Sequence, residues 1–290
     1  MKSLFILNPR SGRRRRGDIA EAIRRGCEGD VSPCESKDDL DGIISKAARD
    51  GVEVVYAVGG DGTVHEIAKR LVGTQMALGI IPTGSGNGLA RHLGIPLVTD
   101  QAISVCRDGL IETIDSATVN GLPFFGVMGI GLDATIAERF ASSTTRGMRT
   151  YVRLGFRTFL GFRAEEYEIE IDGAMQRRKA LVLAIANSSQ YGNNARIAPL
   201  ASLQDGMLDV VIIESASLFS APRMLMRLFD GTFLRSKGVR FMQARDVTIR
   251  RATAGPAHVD GEPITLPETL AVKIVPRSLR VLMRRGRTRI

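Results

Sequence analysis

A run of five residues that sets an acid among glycines, Gly59-Gly60-Asp61-Gly62-Thr63, has the strongest chemical signal in the sequence. It follows the mostly apolar run Val52–Val58 and precedes a segment with helical periodicity. Glycines let the backbone approach a phosphate without a Cβ in the way, and the amides at a helix N-terminus favour an anion. Asp61 could hold Mg²⁺ or orient an attacking hydroxyl. The pattern favours a phosphate site over its alternative, a tight turn with a helix cap.

Two more loops follow predicted strands and could line the same cleft. In Pro82-Thr83-Gly84-Ser85-Gly86-Asn87-Gly88, glycines at alternate positions leave the backbone bare, and two hydroxyls add donors. Asn8-Pro9-Arg10-Ser11-Gly12 follows the first strand. Each loop alone is equally typical of a connector or an ordinary turn, but ligands bind at the carboxyl ends of strands in open α/β sheets. The lysine of a Walker A loop is absent, so a P-loop enzyme is excluded.

The elements that must position these loops alternate between strand and helix up to about residue 115. Strand-like runs at Leu4–Leu7, Val52–Val58 and Ala77–Ile81 are separated by helical faces such as that of Val64, Ile67, Ala68 and Leu71. Strands that alternate with helices predict a doubly wound, mostly parallel sheet covered on both sides. The fold class predicted for this part is α/β.

The second part of the chain has a different pattern. Tyr167, Ile169 and Ile171 alternate with acids, and Asp172-Gly173 is a hairpin turn signal. Helical patterns are limited to roughly residues 134–162 and 218–230. We therefore predict a β-rich second domain, a sandwich or flattened barrel. The predicted domains are residues 1–117, which 279–290 could complete, and residues 118–278.

Composition excludes few partners. The net charge of +9 suits nucleic acid, an anionic membrane surface or anionic substrates, but the arginine run 13–16 lacks interleaved aromatics and no zinc spacing is evident, so we expect no nucleic acid. The cysteines Cys27, Cys34 and Cys106 are odd in number, which favours reduced thiols over disulfides. No apolar run approaches the length of a signal or spanning segment. A soluble, cytoplasmic protein is expected.

Taken together, the loops resemble the diacylglycerol kinase catalytic family, which includes bacterial lipid kinases, sphingosine kinases and ceramide kinases. The resemblance extends along nearly the whole chain. It is carried by Asn8–Gly12, Gly59–Thr63 with Glu66, Thr83–Gly88 running into Leu89–Pro96, Asp115, Leu203–Asp209 and Asp260–Glu262. It implies a phosphofructokinase- and NAD-kinase-like N-terminal domain and a C-terminal β-sandwich. The implied activity is transfer of the γ-phosphoryl group of ATP to a hydroxyl of a membrane lipid, diacylglycerol or a sphingoid base or ceramide.

The same resemblance implies the residues of an ATP site between the two domains. The predicted nucleotide contacts are Asn8, Pro9, Arg10, Ser11, Gly12, Ser36, Gly59, Gly60, Asp61, Gly62, Thr63, Val64, His65, Glu66, Thr83, Gly84, Ser85, Gly86 and Asn87. It places Mg²⁺ on Ser202, Asp205 and Met207, although the local sequence is equally typical of a turn. Asp61 and Glu262 are the predicted catalytic residues: Asp61 organises the Mg²⁺ and phosphate, and Glu262 takes the proton of the lipid hydroxyl.

Two departures from the bacterial pattern leave the acceptor lipid open. Gly88 follows Asn87 where many bacterial members have aspartate, and His65 stands before Glu66 where asparagine is usual. Both changes are more similar to the sphingosine kinase branch.

Peripheral membrane association is expected from an amphipathic segment. Its basic stripe consists of Arg146, Arg149, Arg153 and Arg157, and its apolar residues are Val152, Phe156, Phe159 and Leu160. An ordinary surface helix with its apolar side in the core is the alternative. The terminal arginines Arg284, Arg285, Arg287 and Arg289 are better explained as a soluble tail.

Two other functions fit part of the pattern. NAD kinase also uses Gly-Gly-Asp-Gly-Thr, but the second glycine loop fits lipid kinases better. A non-catalytic protein that binds membranes or nucleic acid is the other alternative, and it leaves the acids Asp61, Asp205 and Glu262 unexplained. A homodimer is left open.

Overall fold

The computed structural model describes residues 1–8, 16–34, 36, 38–143 and 148–285, without the side chains of residues 16, 148, 149 and 151. The chain divides into two compact units. Unit 1 is Met1–Ser116 with Pro276–Ile290, and unit 2 is Ala117–Val275.

Unit 1 contains a parallel sheet with the strand order β2-β1-β3-β4. Its strands are β1 (Ser3–Leu7), β2 (Asp30–Pro33), β3 (Val54–Gly59) and β4 (Ala77–Pro82). All residues of β1, β3 and β4 are buried, as is expected when helices cover both faces of a parallel sheet. The first half of the chain therefore forms the α/β fold that its sequence predicts.

The helices of unit 1 pack as two pairs. They are α1 (Arg16–Gly26), α2 (Asp39–Arg49), α3 (Asp61–Leu71), α4 (Gly88–His92) and α5 (Thr99–Asp108). Helix α1 contacts α5, and α2 contacts α3. In α3 the predicted face of Val64, Ile67, Ala68 and Leu71 is buried, so this helix presents its N-terminus at the end of β3.

Two long strands, β5 (Leu110–Val119) and β16 (Thr269–Met283), run from one unit into the other. The last part of β16 returns to unit 1, where Val281 pairs in parallel with Leu78 of β4. Asp115 is buried, and its Oδ1 accepts a hydrogen bond from the amide of Arg277 at 2.7 Å. Asp115, a residue of the family pattern, therefore holds the returning segment.

Unit 2 contains an antiparallel sheet with the order β12-β11-β10-β7-β14-β15. Its strands are β6 (Leu122–Phe124), β7 (Val127–Gly131), β8 (Glu165–Ile171), β9 (Ala174–Ala180), β10 (Val182–Ala186), β11 (Leu208–Ile213), β12 (Val239–Ala244), β13 (Asp246–Arg250), β14 (Gly255–Val259) and β15 (Glu262–Leu266). A second layer joins β9, β8 and β13 to the first part of β16. Alternate residues of both layers share one apolar core, for example Ile169 on β8 with Leu183 on β10. This is a β-sandwich, and it confirms the fold class predicted for the second domain.

The helices of unit 2 are α6 (Leu132–Ala141), α7 (Met148–Gly161) and α8 (Ala221–Asp230), with a short 3₁₀ helix at Phe233–Arg235. Helix α7 packs on α6, and Arg139 donates to the buried Thr158 at 3.0 Å. None of the helices in the described part of the chain has the length and apolarity to cross a membrane.

Candidate active site

The ends of β1 and β3 form a switch point in unit 1. The chain leaves β1 toward β2 on one side and later reaches β3 on the other, so the loops after β1 and β3 diverge. Ligands bind at such a point in open α/β sheets. Asn8, directly after β1, donates from Nδ2 to Thr63 Oγ1 at 2.8 Å. Thr63 in turn lies against Gly59, where a Cβ would overlap the threonine side chain.

Asp61 ties the first glycine loop to the second. Its Oδ2 accepts a hydrogen bond from the Asn87 amide at 2.8 Å, and its Oδ1 accepts one from the Gly88 amide at 2.6 Å. Hydrogen bonds to an ionised acceptor are stronger than neutral ones. Asn87 adopts a left-handed conformation with φ of 52°, and its Nδ2 donates to the Gly84 carbonyl at 2.8 Å. The carboxylate thus positions the backbone of the second loop.

The two loops touch through bare backbone. A Cβ on Gly84 would lie 2.5 Å from the Cα of Gly60, and a Cβ on Gly86 would lie 2.5 Å from Asp61 Oδ2. The first turn of α3 also directs amides toward this end of the sheet. The loops therefore offer closely spaced peptide groups, which is the arrangement that a polyphosphate requires.

Two other predicted nucleotide contacts, Glu66 and Ser36, make hydrogen bonds or ion pairs with neighbouring residues of unit 1. The Glu66 carboxylate is buried and forms ion pairs with Lys69 at 2.7 Å and Arg70 at 2.8 Å, and Arg70 also reaches Asp41 on α2. This network fastens α3 to α2. Ser36 follows β2 and caps the Asp38 amide with its Oγ at 3.0 Å. Pro9, Arg10, Ser11 and Gly12 lie outside the described residues, as do Arg13, Arg146, Arg287 and Arg289.

Gly84→Ala is expected to separate the two loops, because the new Cβ would meet backbone that cannot rotate away. Overpacking of this kind costs about 1–3 kcal/mol of stability. We expect a lower Tm in thermal unfolding and weaker ATP binding in calorimetric titration. Gly42→Ala is the matched control, because a Cβ there meets nothing within 4 Å in the described part of the chain. Wild-type ATP affinity in the Gly84 variant would contradict the assignment of the loop.

In unit 2, the motif Asp260-Gly261-Glu262 forms a tight hairpin between β14 and β15. Asp260 and Gly261 both have positive φ, 51° and 83°, as a type I′ turn requires. The Asp260 carboxylate accepts bonds from the amides of Phe125, Gly126 and Val127 at 3.0, 2.7 and 3.2 Å. Glu262 follows the turn and is exposed. These bonds hold the backbone of the hairpin in place. The Glu262 backbone is therefore fixed, while its carboxylate is accessible to solvent.

The predicted metal loop, residues 202–207, has an exposed carboxylate at Asp205, and the buried carboxylate of Asp209 follows it on β11. Asp205 Oδ1 accepts the Met207 amide at 3.0 Å, and Ser202 Oγ accepts the Gln204 amide at 3.2 Å. Asp209, at the start of β11, is 2% exposed, and its Oδ2 has no hydrogen-bond partner among the described residues. Burial raises the pKa of Asp209 to about 7, and the charge of Asp205 adds to the effect.

These donors fit a hard cation. Mg²⁺ prefers oxygen ligands, and the Asp205 carboxylate with the carbonyl groups of Ser202 and Met207 would supply them. No group of three or more His, Cys, Asp or Glu side chains in the described part of the chain is arranged to hold a metal. A cation here would therefore depend on carbonyl groups and water besides the carboxylates.

Sequence reasoning missed a buried polar cluster in unit 2. Asp133 Oδ2 accepts a bond from Tyr191 at 3.0 Å and lies 3.2 Å from His258 Nε2. A Cβ on Gly129 would overlap both the Asp133 carboxylate and the His258 ring. The glycines of Gly129-Ile130-Gly131 ahead of an acid could have signalled the cluster. His258 itself is buried.

Comparison with known protein families agrees with this architecture. Residues 2–119 match the model for the diacylglycerol kinase catalytic domain. Residues 126–283 match the model for the YegS C-terminal NAD kinase beta sandwich-like domain.

Individual proteins match along most of their length. The chain is 27% identical over 271 residues to "Diacylglycerol kinase" of Bacillus subtilis (strain 168), covering 90% of this chain and 89% of that protein. It is 31% identical over 230 residues to "Probable lipid kinase YegS" of Salmonella arizonae, covering 76% of each. The crystal structure of a diacylglycerol kinase from Bacillus anthracis str. Sterne superposes with a TM-score of 0.75 at 18% identity, covering 98% of this chain and 97% of that one. This last similarity shows the fold.

An α/β unit with two tied glycine loops, followed by a sandwich with an acidic hairpin, defines a phosphotransferase of the lipid kinase class. The chain belongs to the family in which a diacylglycerol kinase catalytic domain is joined to a YegS C-terminal domain. The resemblance stated from the motifs is thereby confirmed.

Proposed function

We propose that the protein transfers the γ-phosphoryl group of ATP to a hydroxyl of a membrane lipid, diacylglycerol or a close relative. The observation that supports it most is the tie between the two glycine loops by Asp61 at the switch point of the sheet. Such a site suits a nucleoside triphosphate, because bare amides and a helix N-terminus bind phosphate without needing a lysine.

The residues proposed to hold the nucleotide are the predicted ones, and among them Gly60, Asp61, Gly84, Gly86 and Asn87 already lie together. Ser202, Asp205 and Met207 would hold Mg²⁺, which would neutralise developing charge when bound. The chain's own contribution is mainly positioning, since phosphoryl transfer leaves little covalent chemistry to the protein.

Glu262 is the proposed general base. The acceptor's hydroxyl oxygen bonds to the γ-phosphorus as the bond to the β–γ bridging oxygen breaks, ADP leaves, and the hydroxyl proton passes to the Glu262 carboxylate. Within the described residues this carboxylate makes no hydrogen bond of its own, so it is available to an acceptor. The Asp260 contacts keep its backbone in place.

We further propose that the enzyme works as a cytoplasmic protein on the inner face of the membrane. Helix α7 supports this, because Val152, Phe156 and Leu160 are exposed instead of lying in the core. Arg153 and Arg157 are exposed on the same helix. The Arg149 side chain lies outside the described residues.

A panel of acceptors tests the proposal. The enzyme is incubated with radiolabelled γ-phosphate ATP, Mg²⁺ and one acceptor at a time: diacylglycerol, monoacylglycerol, ceramide, a long-chain base or phosphatidylglycerol in detergent micelles, or NAD in solution. We expect label in diacylglycerol or a related lipid. Label in NAD alone would overturn the lipid assignment and favour the NAD kinase alternative.

A further inference from the structure

Helix α8 and the turn before it expose an unusual amount of apolar surface in unit 2. The surface, called the α8 apolar surface below, consists of Leu218, Phe219, Leu225, Met226 and Phe229. Phe219 is 96% exposed and Met226 is 64% exposed. Contiguous exposed apolar patches of this kind mark interaction sites on soluble proteins.

The exposure follows from a helix with two apolar faces. Met224 and Leu228 pack onto the outer face of the six-stranded sheet. At about 100° per residue, Met226 points to the opposite side of the helix, and Leu225 and Phe229 lie between Met226 and the packed residues. One apolar face is sufficient to fasten a surface helix to its core. The second face is therefore not explained by folding.

The turn that carries Phe219 is held in place. The Ser217 amide donates to Ser220 Oγ at 2.8 Å, and the Ser220 amide donates back to the Ser217 carbonyl at 3.0 Å. The Ala221 amide also donates to the Ser217 carbonyl, at 2.8 Å. These bonds close a tight turn with Leu218 and Phe219 at its tip. The two side chains are thus presented to solvent by an ordered segment.

The charges around this surface are mostly positive. Residues 217–237 contain the cations Arg223, Arg227, Arg235 and Lys237 and a single carboxylate, Asp230. Arg227 donates to the Arg235 carbonyl at 2.8 Å, which keeps these basic residues beside the helix. Asp230 accepts bonds from Thr232, which hold its pKa below the usual value. Apolar side chains flanked by cations suit an anionic lipid surface.

A second copy of the chain fits this surface less well. A stable protein interface buries about 800 Å² per partner and involves about 20–30 residues a side. Five apolar side chains on one short helix and its turn are fewer than such an interface needs, and four nearby cations would repel their symmetry mates. A bilayer with anionic headgroups needs no shape complementarity and attracts the same cations.

We propose that the α8 apolar surface docks on an anionic lipid bilayer, with Phe219 and Met226 inserted among the acyl chains and Arg223 and Arg227 at the headgroups. The inference rests on the proposed function in that the acceptor hydroxyl belongs to a lipid held in that bilayer. Helix α8 would then contact the membrane in addition to α7.

Vesicle sedimentation tests the docking without catalysis. The full chain is mixed with phosphatidylcholine vesicles that contain phosphatidylglycerol, in low and high salt. Phe219→Ser is expected to lower the partition coefficient about tenfold, as removal of one large apolar side chain from hydrocarbon should, and Phe219→Ser/Met226→Ser is expected to lower it further. Met175→Ser is the matched control, because Met175 is 53% exposed on β9 outside the surface. Circular dichroism and thermal unfolding check that each variant is folded.

Two charge-reversal variants test the headgroup contact. Arg223→Glu should weaken binding in low salt and have little effect in high salt, since screening removes the attraction. Arg245→Glu makes the same charge change at an exposed position between β12 and β13. This variant should bind vesicles more like the wild type than Arg223→Glu does. Unchanged partitioning of the Phe219 and Arg223 variants would overturn the proposal. So would loss of self-association in place of loss of vesicle binding, which would assign the surface to a second copy.

The micelle assay separates this inference from the proposed function. If the Phe219 variant loses vesicle binding but phosphorylates lipid in detergent micelles at the wild-type rate, the docking proposal and the kinase assignment both stand. If no lipid acceptor is labelled in micelles while the variant loses vesicle binding, docking stands and the kinase assignment fails. If lipid is labelled and vesicle binding is unaffected, the kinase assignment stands and docking on α8 fails.

Discussion

Asp61→Asn should lower lipid phosphorylation by roughly 10²–10⁴-fold. Asparagine places an N–H₂ group where one carboxylate oxygen accepts the amide of Asn87 or Gly88. One hydrogen bond is lost, two donors face each other, and the negative charge proposed to organise the phosphate and its metal disappears. Steady-state kinetics with the lipid identified by the acceptor panel gives the effect.

The same substitution has a second, independent effect on the loop that it holds. Loss of a bond to a partly buried charged group costs about 1–3 kcal/mol of stability. We expect faster amide hydrogen exchange in residues 84–88 and a higher Kd for ATP. Asp50→Asn removes the same charge from the exposed end of α2 and is the control. Near-normal turnover of the Asp61 variant would exclude its role in organising the phosphate, and unchanged exchange in residues 84–88 would exclude a stabilising effect on the loop.

Glu262→Gln should lower kcat by roughly 10²–10⁴-fold, the range for loss of a general base. The side chain is exposed, and the hairpin is held by Asp260, so the variant should fold with an unchanged Tm. Because glutamine cannot take a proton, the loss should appear in kcat, while the Kd for ATP stays the same. Steady-state kinetics and calorimetric titration with ATP measure the two quantities separately.

Glu268→Gln controls for charge. Glu268 is an exposed glutamate in the connection after β15, and its substitution removes the same charge from unit 2. It should retain wild-type kcat. Equal losses in both variants would point to an electrostatic effect of the surface and would contradict the assignment of Glu262 as base.

Local patterns were sufficient to predict the layout of the chain. The buried runs of β1, β3 and β4 and the apolar face of α3 have the lengths and periods that their sequences indicate. The hairpin at Asp172-Gly173 forms with both φ values positive. Such features depend on neighbouring residues alone, so a single sequence is enough to find them.

The roles of single acids were harder to predict. Asp61 was assigned from its motif to metal and phosphate, but both of its oxygens also hold the second glycine loop. Glu66 was assigned to the nucleotide, yet it lies buried in an ion network with Lys69 and Arg70. Asp209 belongs to a segment that carries the resemblance but has no predicted role of its own, although its Oδ2 is buried and unpaired within the described residues. These roles depend on residues far away in the chain.

The amino-acid sequence by itself determined an α/β unit followed by a β-rich unit, because periodicity and turn chemistry are local properties, and its ordered motifs were sufficient for the resemblance to the kinase family. Only the tertiary structure decided that Gly60 and Gly84 meet through bare backbone. It also decided that the second apolar face of α8 remains in solvent. The physical reason is that contact and burial are set by the register of paired strands and by which helix face the sheet covers.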